Sequence, residues 1–263
     1  MAYKLFLPSD SGISDESLGQ SWVGEEIAEQ IAYCPFQTIE PVFRKYLPKP
    51  GRILEAGCGL GRWVFYLKGL GYDVSGIEYS QTAIAAVRSF DPAAPIAFGD
   101  VKKLDFPDGH FQAMISLGVV EHFEEGPQQA IREAARVVAK GGILLISVPT
   151  INPLRALYVH PMLDRRQNAR RRRGQSYIFS EYRFGKREFA PYLREAGLEI
   201  LEILSDDFNP PKNIGLYVDF GAFQKPGSKW ELNPRGAMLE KALRAVSVGL
   251  YAAGTMYVCR VAK

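Results

Sequence analysis

Three groups of residues in this 263-residue chain have types and spacings that suit chemistry. The first is Glu55-Ala56-Gly57-Cys58-Gly59-Leu60-Gly61-Arg62, with glycine at every second position from 57 to 61. Glycines let the backbone turn tightly and come close to a ligand, and a helix starting at such a turn offers free N–H groups to an anion. Turns of this kind also occur with no ligand, so the neighbours decide. The second is Glu78, 21 positions after Gly57. A carboxylate there accepts hydrogen bonds from both ribose hydroxyls of a nucleoside, the alternative being a solvated glutamate at a strand end. The third is Asp100, in Gly99-Asp100-Val101, which suits an adenine amino group or, more plainly, a turn after glycine.

The elements that must position these groups follow from hydrophobic patterning. From Arg52 onward, short apolar runs alternate with helical patterns, the mark of βαβ units around a parallel sheet. Arg52–Ala56 reads as a strand, 57–61 as a turn, Arg62–Leu70 as a helix and Tyr72–Ile77 as a second strand. Ser80 suits the N-cap of a helix reaching about Ser89. Ile96–Phe98 and Phe111–Leu117 are the third and fourth strands. Pro127–Ala139 is the clearest helix, with Gly141-Gly142 as its stop, and Ile143–Val148 is a fully apolar fifth strand. After Pro149 the alternation lapses for about 35 residues. It resumes with a helix near Lys186–Ala196, kinked by Pro191, and a sixth strand at Leu198–Leu204. A second irregular stretch, Ser205–Asn233, leads to a helix around Gly236–Tyr251 and a last strand at Thr255–Val261. The first 50 residues suggest two short helices, Glu25–Ala32 and Ile39–Tyr46. The expected fold is therefore α/β, a doubly wound, mostly parallel seven-stranded sheet, with an N-terminal helical segment (1–50), a core (51–149), and a C-terminal part (150–263) carrying insertions after strands five and six. All three chemical groups then sit at strand ends on the carboxyl edge of one sheet, where open α/β sheets bind ligands.

The dinucleotide fingerprint G-x-G-x-x-G is not met. The third glycine comes one residue early, at Gly61, and Arg62 fills its place, which counts against a nicotinamide or flavin cofactor. The sequence instead resembles the class I S-adenosylmethionine-dependent methyltransferases, and is most similar to the small-molecule group that includes the quinone-biosynthesis enzymes. The resemblance spans about 42–148 well and the last two strands loosely. Glu55 to Gly61 matches the first motif, Glu78 the ribose-binding acid, and Asp100-Val101 the adenine-contacting pair. Leu104 to Phe111, Ser116 to His122, and Lys140-Gly141-Gly142 before an apolar strand complete the order. Gln112 departs from the aspartate that the family usually carries. The resemblance implies a Rossmann-like methyltransferase fold with S-adenosylmethionine held by Glu55, Gly57, Gly59, Gly61, Arg62, Glu78, Asp100, Val101 and Leu117. Gly57 and Leu117 would contact its methionine part through their backbones, and Arg62 would assist the methionine carboxylate.

Methyl transfer from a sulfonium demands positioning and exclusion of water more than an elaborate catalyst. A hydroxyl or acidic-carbon acceptor also requires a base, and His122, just past the fourth strand, suits that role. The alternative is that Glu121 and His122 only shape the next helix start. His110, in a turn, and His160, in the irregular region, are weaker candidates. Tyr177, Phe179, Tyr182 and Phe184 are expected to line the acceptor pocket, with Trp22, Tyr33 and Phe36 as a lid; each aromatic equally suits plain docking of an insertion.

The remaining features bound the function. Net charge is +3, too small by itself to imply a nucleic-acid partner. Six arginines nevertheless cluster at Arg165, Arg166 and Arg170 to Arg173. Such a run is expected to be a solvated, mobile surface; otherwise it attracts an anionic acceptor, an acidic membrane surface or RNA. Nucleic-acid bases are disfavoured as acceptors because Ser116-Leu117-Gly118 replaces the Asn/Asp-Pro-Pro-aromatic signature, and Asn209-Pro210-Pro211-Lys212 lacks the aromatic. Cys34, Cys58 and Cys259 form neither a metal-ligand pair nor a disulfide framework. No signal peptide opens the chain and no apolar run is long enough to span a membrane, so a cytoplasmic place is expected. The expected function is methyl transfer to oxygen, nitrogen or carbon of a small molecule. The alternatives are a non-catalytic S-adenosylmethionine-binding partner, an RNA methyltransferase using the arginines, and a nicotinamide oxidoreductase.

Overall fold

The computed structural model describes residues 2–9 and 26–262. Its seven-stranded sheet is built from β2 (Arg52–Ala56), β3 (Asp73–Glu78), β4 (Ile96–Phe98), β5 (Phe111–Leu117), β6 (Val138–Pro149), β8 (Leu198–Asp206) and β9 (Gly254–Val261). The spatial order is β4-β3-β2-β5-β6-β9-β8. Neighbours from β4 to β6 pair in parallel, whereas β9 is antiparallel to both β6 and β8. β8 consequently runs with the parallel set, and its end joins theirs at the carboxyl edge.

Side chains alternate across a strand, so each central strand feeds two cores. Ile53, Ile115, Leu145 and Val258 point to one face, where α1 (Ile27–Tyr33), α2 (Glu40–Tyr46), α3 (Arg62–Gly69) and α4 (Gln81–Phe90) supply Ile27, Phe43, Trp63 and Val87. Leu54, Met114, Leu144, Ile146 and Tyr257 point to the other, against Ile131 and Ala134 of α5 (Gln128–Val137) and Leu193 of α7 (Ala190–Glu195). With helices on both faces, the doubly wound architecture is as expected.

Several local expectations are corrected. Gly141-Gly142 does not stop a helix: α5 ends at Val137 and β6 begins at Val138. The glycines lie in a bulge between the Phe111↔Val138 and Ala113↔Ile143 pairs. A Cβ on Gly142 would come within 2.8 Å of the Gln112 and Ala139 carbonyls, so the bulge requires a bare backbone. Pro191 does not kink a helix; it stands in the first turn of α7, where its missing N–H is no loss. The last helix, α9 (Pro234–Val246), starts at the Asn233 side chain, which accepts from Gly236 N at 3.0 Å, and it stops short of Tyr251. Tyr251 instead packs in a third small core with Leu216 of α8 (Gly215–Asp219).

The two stretches read as irregular are ordered by polar contacts rather than by apolar periodicity. The first holds a π turn (Arg155–Val159), α6 (His160–Arg171) and β7 (Tyr177–Arg183). β7 pairs with β1 (Tyr3–Pro8), a strand within the segment expected to be helical. Arg155, buried, donates to Asp219 Oδ2 at 2.7 Å and to the Thr150 and Ala253 carbonyls, tying the insertion to the sheet edge. In the second stretch the buried Asp207 carboxylate accepts from the N–H groups of Phe208, Ile214, Gly215 and Ala253. Asn209 and Lys212 are likewise engaged, with Arg244 and with Glu231.

Leu145 is fully buried between β5 and β9. Leu145→Ala should lower the unfolding free energy by about 2–5 kcal/mol in urea titrations. A loss under about 1 kcal/mol would mean that this strand is not central to the core.

Candidate active site

β2 runs directly into the glycine bend, and the bend is bonded to the strand beside it. Gly57 N and Cys58 N both donate to the Ile77 carbonyl of β3, at 2.9 and 3.0 Å, and Gly61 N closes the turn onto Cys58 O at 2.9 Å. Gly57 has φ +74°, and a Cβ there would come within 2.5 Å of Val119 Cγ2. The backbone can follow this path only without a side chain.

Glu78, the last residue of β3, closes the same bend from the side. Its Oε2 accepts from Gly59 N at 2.8 Å, while Oε1 accepts from Tyr79 N and Ser80 N, both at 2.8 Å. Ser80 Oγ in turn caps α4 by accepting from Ala83 N. Asp100 follows two residues after Phe98, the β4 partner of Glu78, and its Oδ1 accepts from Lys102 N in a local turn. Val101 is buried beside Ile77. The two acids and the bend thus stand on adjacent strand ends at one edge of one sheet.

Arg62, the first residue of α3, lies amid buried acids. Glu55 is 4% exposed, accepts a hydrogen bond from Val64 N, and leaves Oε2 without a partner. Burial pushes its carboxyl up to about 8, against the pull of Arg62. Asp206, at the end of β8, accepts from Ser147 Oγ through Oδ2, and its buried Oδ1 has no partner. Burial raises Asp206 as well, and Ser147 and Arg62 draw it back down. Neither Asp206 nor Ser147 stood out in the sequence. The usable signal was an acid at the carboxyl end of a strand, hidden because β8 outlasts its expected end at Leu204 by two residues.

β5 ends at Leu117, and Gly118 N donates to the Ser147 carbonyl of β6. The 3-10 turn Val120–His122 follows. His122 Nδ1 lies 2.8 Å from the Ser180 carbonyl of β7, and its Nε2 lies 3.9 Å from Glu121 Oε1. A carbonyl only accepts, so Nδ1 carries the proton and Nε2 of the neutral ring presents its lone pair. Glu121 is 1% exposed with Oε2 unpartnered; burial raises it to about 7, opposed by His122 and reinforced by Glu181 and Asp206.

Other candidates separate in space. His110 precedes β5, at the opposite edge of the sheet, and packs on Phe106 and Phe111. His160 is buried and stacked on Tyr3 at 3.8 Å, and burial together with Arg183 and Arg155 lowers it to about 4. Of the β7 aromatics, Tyr182 donates to the Glu124 carbonyl and contacts Phe179 beside the His122 turn. Phe184 is buried core against Phe189, and Tyr177 faces Arg171. Tyr33 packs on Phe208 and Trp230, Phe36 is exposed, and Trp22 lies outside the described residues. The arginine cluster is not a loop: it lies on α6 and its closing turn, with all six residues exposed.

The sequence profile of a family described as "Methyltransferase domain" matches residues 54–146. A Mycobacterium tuberculosis protein described as a "probable S-adenosylmethionine-dependent methyltransferase" is 30% identical over 139 residues, 51% of this chain and 50% of that protein. The chain thus spans about half the length of the first curated relatives it matches. A ubiquinone biosynthesis O-methyltransferase of Thiobacillus denitrificans is 25% identical over 68% of this chain and 79% of its own length. Among solved structures, a chain of the "complex between the Haloferax volcanii Trm112 methyltransferase activator and the putative methyltransferase" superposes with TM-score 0.62 at 17% identity, covering 93% of this chain and 98% of its own. At that identity the likeness is one of fold.

Glu55 generates a stability prediction. Its folded-state value, raised from 4.5 to about 8, keeps a proton on the native chain that the unfolded chain has already released. Its contribution is present below the unfolded value and is lost as pH rises towards 8. Denaturant titrations of the cofactor-free chain from about pH 5 to 8 should show wild type losing stability relative to Glu55→Gln, by about 1.4 kcal/mol per pH unit at most. A difference that stays flat with pH would mean that Glu55 is not held in a low-dielectric site.

Proposed function

We propose that this chain, whose residues 54–146 match the profile of a methyltransferase domain, binds S-adenosylmethionine and transfers its methyl group to a small-molecule acceptor. The observation that carries the reading is the Glu78 carboxylate bonded to Gly59 N at the bend, with Asp100 on the neighbouring strand end. Two acids beside a glycine turn suit an adenosine: Glu78 for the ribose hydroxyls and Asp100, with Val101, for the adenine edge.

The residues fit the rest of the cofactor. Its methionine part is a zwitterion, and Arg62 supplies a cation for the carboxylate. The unpartnered Glu55 Oε2 and Asp206 Oδ1 supply acceptors for the ammonium. Gly57, Gly59 and Gly61 leave the backbone bare along the approach, and Leu117 ends the strand beside it. When bound, the sulfonium supplies an electrophilic methyl group. What the chain must add is alignment, dryness and, for a hydroxyl or acidic carbon, a place for the proton. His122 is the base: the Ser180 carbonyl fixes its tautomer, Nε2 takes the proton, and Glu121 stabilises the resulting imidazolium. The relatives named as a ubiquinone biosynthesis O-methyltransferase and, in Synechocystis, a 2-methyl-6-phytyl-1,4-hydroquinone methyltransferase support oxygen or activated carbon as the attacked atom. None of the described helices is long and apolar enough to cross a membrane, and the three cysteines are free thiols, which supports a cytoplasmic place.

Titration calorimetry should detect S-adenosylmethionine binding, and Glu78→Ala should weaken it about 10- to 100-fold. Unchanged affinity in that variant would remove the main support. His122→Ala should keep cofactor affinity yet slow single-turnover transfer to a phenolic acceptor about 10²- to 10⁴-fold. Full-rate transfer would place the base elsewhere.

A further inference from the structure

The arginines at 165–173 have no part in the reaction proposed above, and their setting is particular. The π turn and α6 leave the carboxyl edge of the sheet after β6, and the chain returns through β7, whose Ser180 carbonyl holds His122. Val159 and His160 are buried and Leu163 and Gln167 half-buried, so one face of this helical segment is docked. Tyr158, Arg165 and Arg172, with Arg166 and Arg173 beside them, recur at seven-residue spacing, two helical turns apart, and face away from it. Leu157 and Tyr158 are 69% and 63% exposed, among the most exposed large apolar side chains described.

The charge on this face is uncompensated. Among the described residues no carboxylate pairs with Arg165, Arg166, Arg170, Arg172 or Arg173. The one acid on α6, Asp164, is taken by the Tyr3 hydroxyl at 2.9 Å. Arg171 lies over the Phe6 and Tyr177 rings at 5.4 and 5.3 Å, which fixes the far end of the helix onto the β1–β7 ribbon. Six arginines in one segment of a chain whose net charge is only +3 make a local field, not a general property.

A merely solvated helix face accounts for the arginines but not for two large apolar side chains at its amino end. Cationic and apolar side chains exposed along one helical segment match a surface with anionic headgroups above an apolar layer. We propose that the outward face of α6, with Leu157 and Tyr158 at its amino end, docks on an anionic phospholipid bilayer. The docking rests on charge and exposure alone. Only its use, to bring the His122 side of the arm towards acceptors dissolved in the membrane, rests on the methyl-transfer reading.

The test is co-sedimentation of the full chain with vesicles of phosphatidylcholine alone or mixed with phosphatidylglycerol. The chain should bind the mixed vesicles and not the neutral ones. Arg172→Glu/Arg173→Glu and, separately, Leu157→Ser/Tyr158→Ser should each weaken that binding by about tenfold or more. Both variants should keep the wild-type melting temperature, which separates lost docking from lost folding. No binding to the mixed vesicles, equal binding to both kinds, or full binding by the Leu157/Tyr158 variant would overturn the proposal. So would a salt-steep complex with single-stranded RNA formed by a chain that ignores vesicles, which would reassign the face to nucleic acid. If wild type fails to bind S-adenosylmethionine but binds the mixed vesicles, methyl transfer falls and the docking stands.

Discussion

The site is organised by one carboxylate. Glu78 ends β3 and accepts from Gly59 N on one side and from Tyr79 N and Ser80 N on the other. A single side chain thereby ties the glycine bend after β2 to the start of α4. Charge-assisted hydrogen bonds are about twice as strong as neutral ones, and three from backbone donors fix the carboxylate rigidly. This clasp adds to the bonds from Gly57 N and Cys58 N to the Ile77 carbonyl and to the packing of the buried Cys58 and Leu60. The lack of a side chain at Gly57 lets Val119 come close enough to exclude any Cβ there.

Around this clasp the carboxyl edge gathers ionisable groups that burial has pushed away from their ordinary values. Glu55, Glu121 and Asp206 are all raised by desolvation, and each leaves an oxygen without a partner. Buried carboxyl groups with unused acceptors are costly to a folded chain. Glu55 and Asp206 feel Arg62, and Glu121 feels His122; perturbed ionisable groups gathered in this way are common at functional sites. The α5 and α7 face of the sheet shows no such cost: Leu54, Met114, Leu144 and Tyr257 simply alternate into it.

The insertion after β6 connects this edge to the molecular surface. Arg155 anchors its start through Asp219 and two backbone carbonyls, and the Ser180 carbonyl on its returning strand sets the His122 tautomer. One arm therefore orients the candidate base at its root and displays a row of exposed arginines at its far side.

The sequence alone determined the sheet and the place of the bend. β2 and β5 are short, largely apolar runs flanked by helical periodicity, and such runs suit burial on both faces of a parallel sheet. Glycines at 57, 59 and 61 and an acid 21 residues after the first are local signals, readable without any long-range contact. Tertiary structure alone decided what depends on partners distant in the chain. α6 lacks an apolar stripe because it is held through Arg155, Asp219 and the Tyr3–Asp164 contact, and β7 becomes a strand by pairing with β1, about 170 residues away. Asp206 reaches Ser147 only because β9 inverts between β6 and β8, returning the end of β8 to the shared edge. Spacing in sequence carries no record of such pairings, since they join residues through the sheet rather than along the chain.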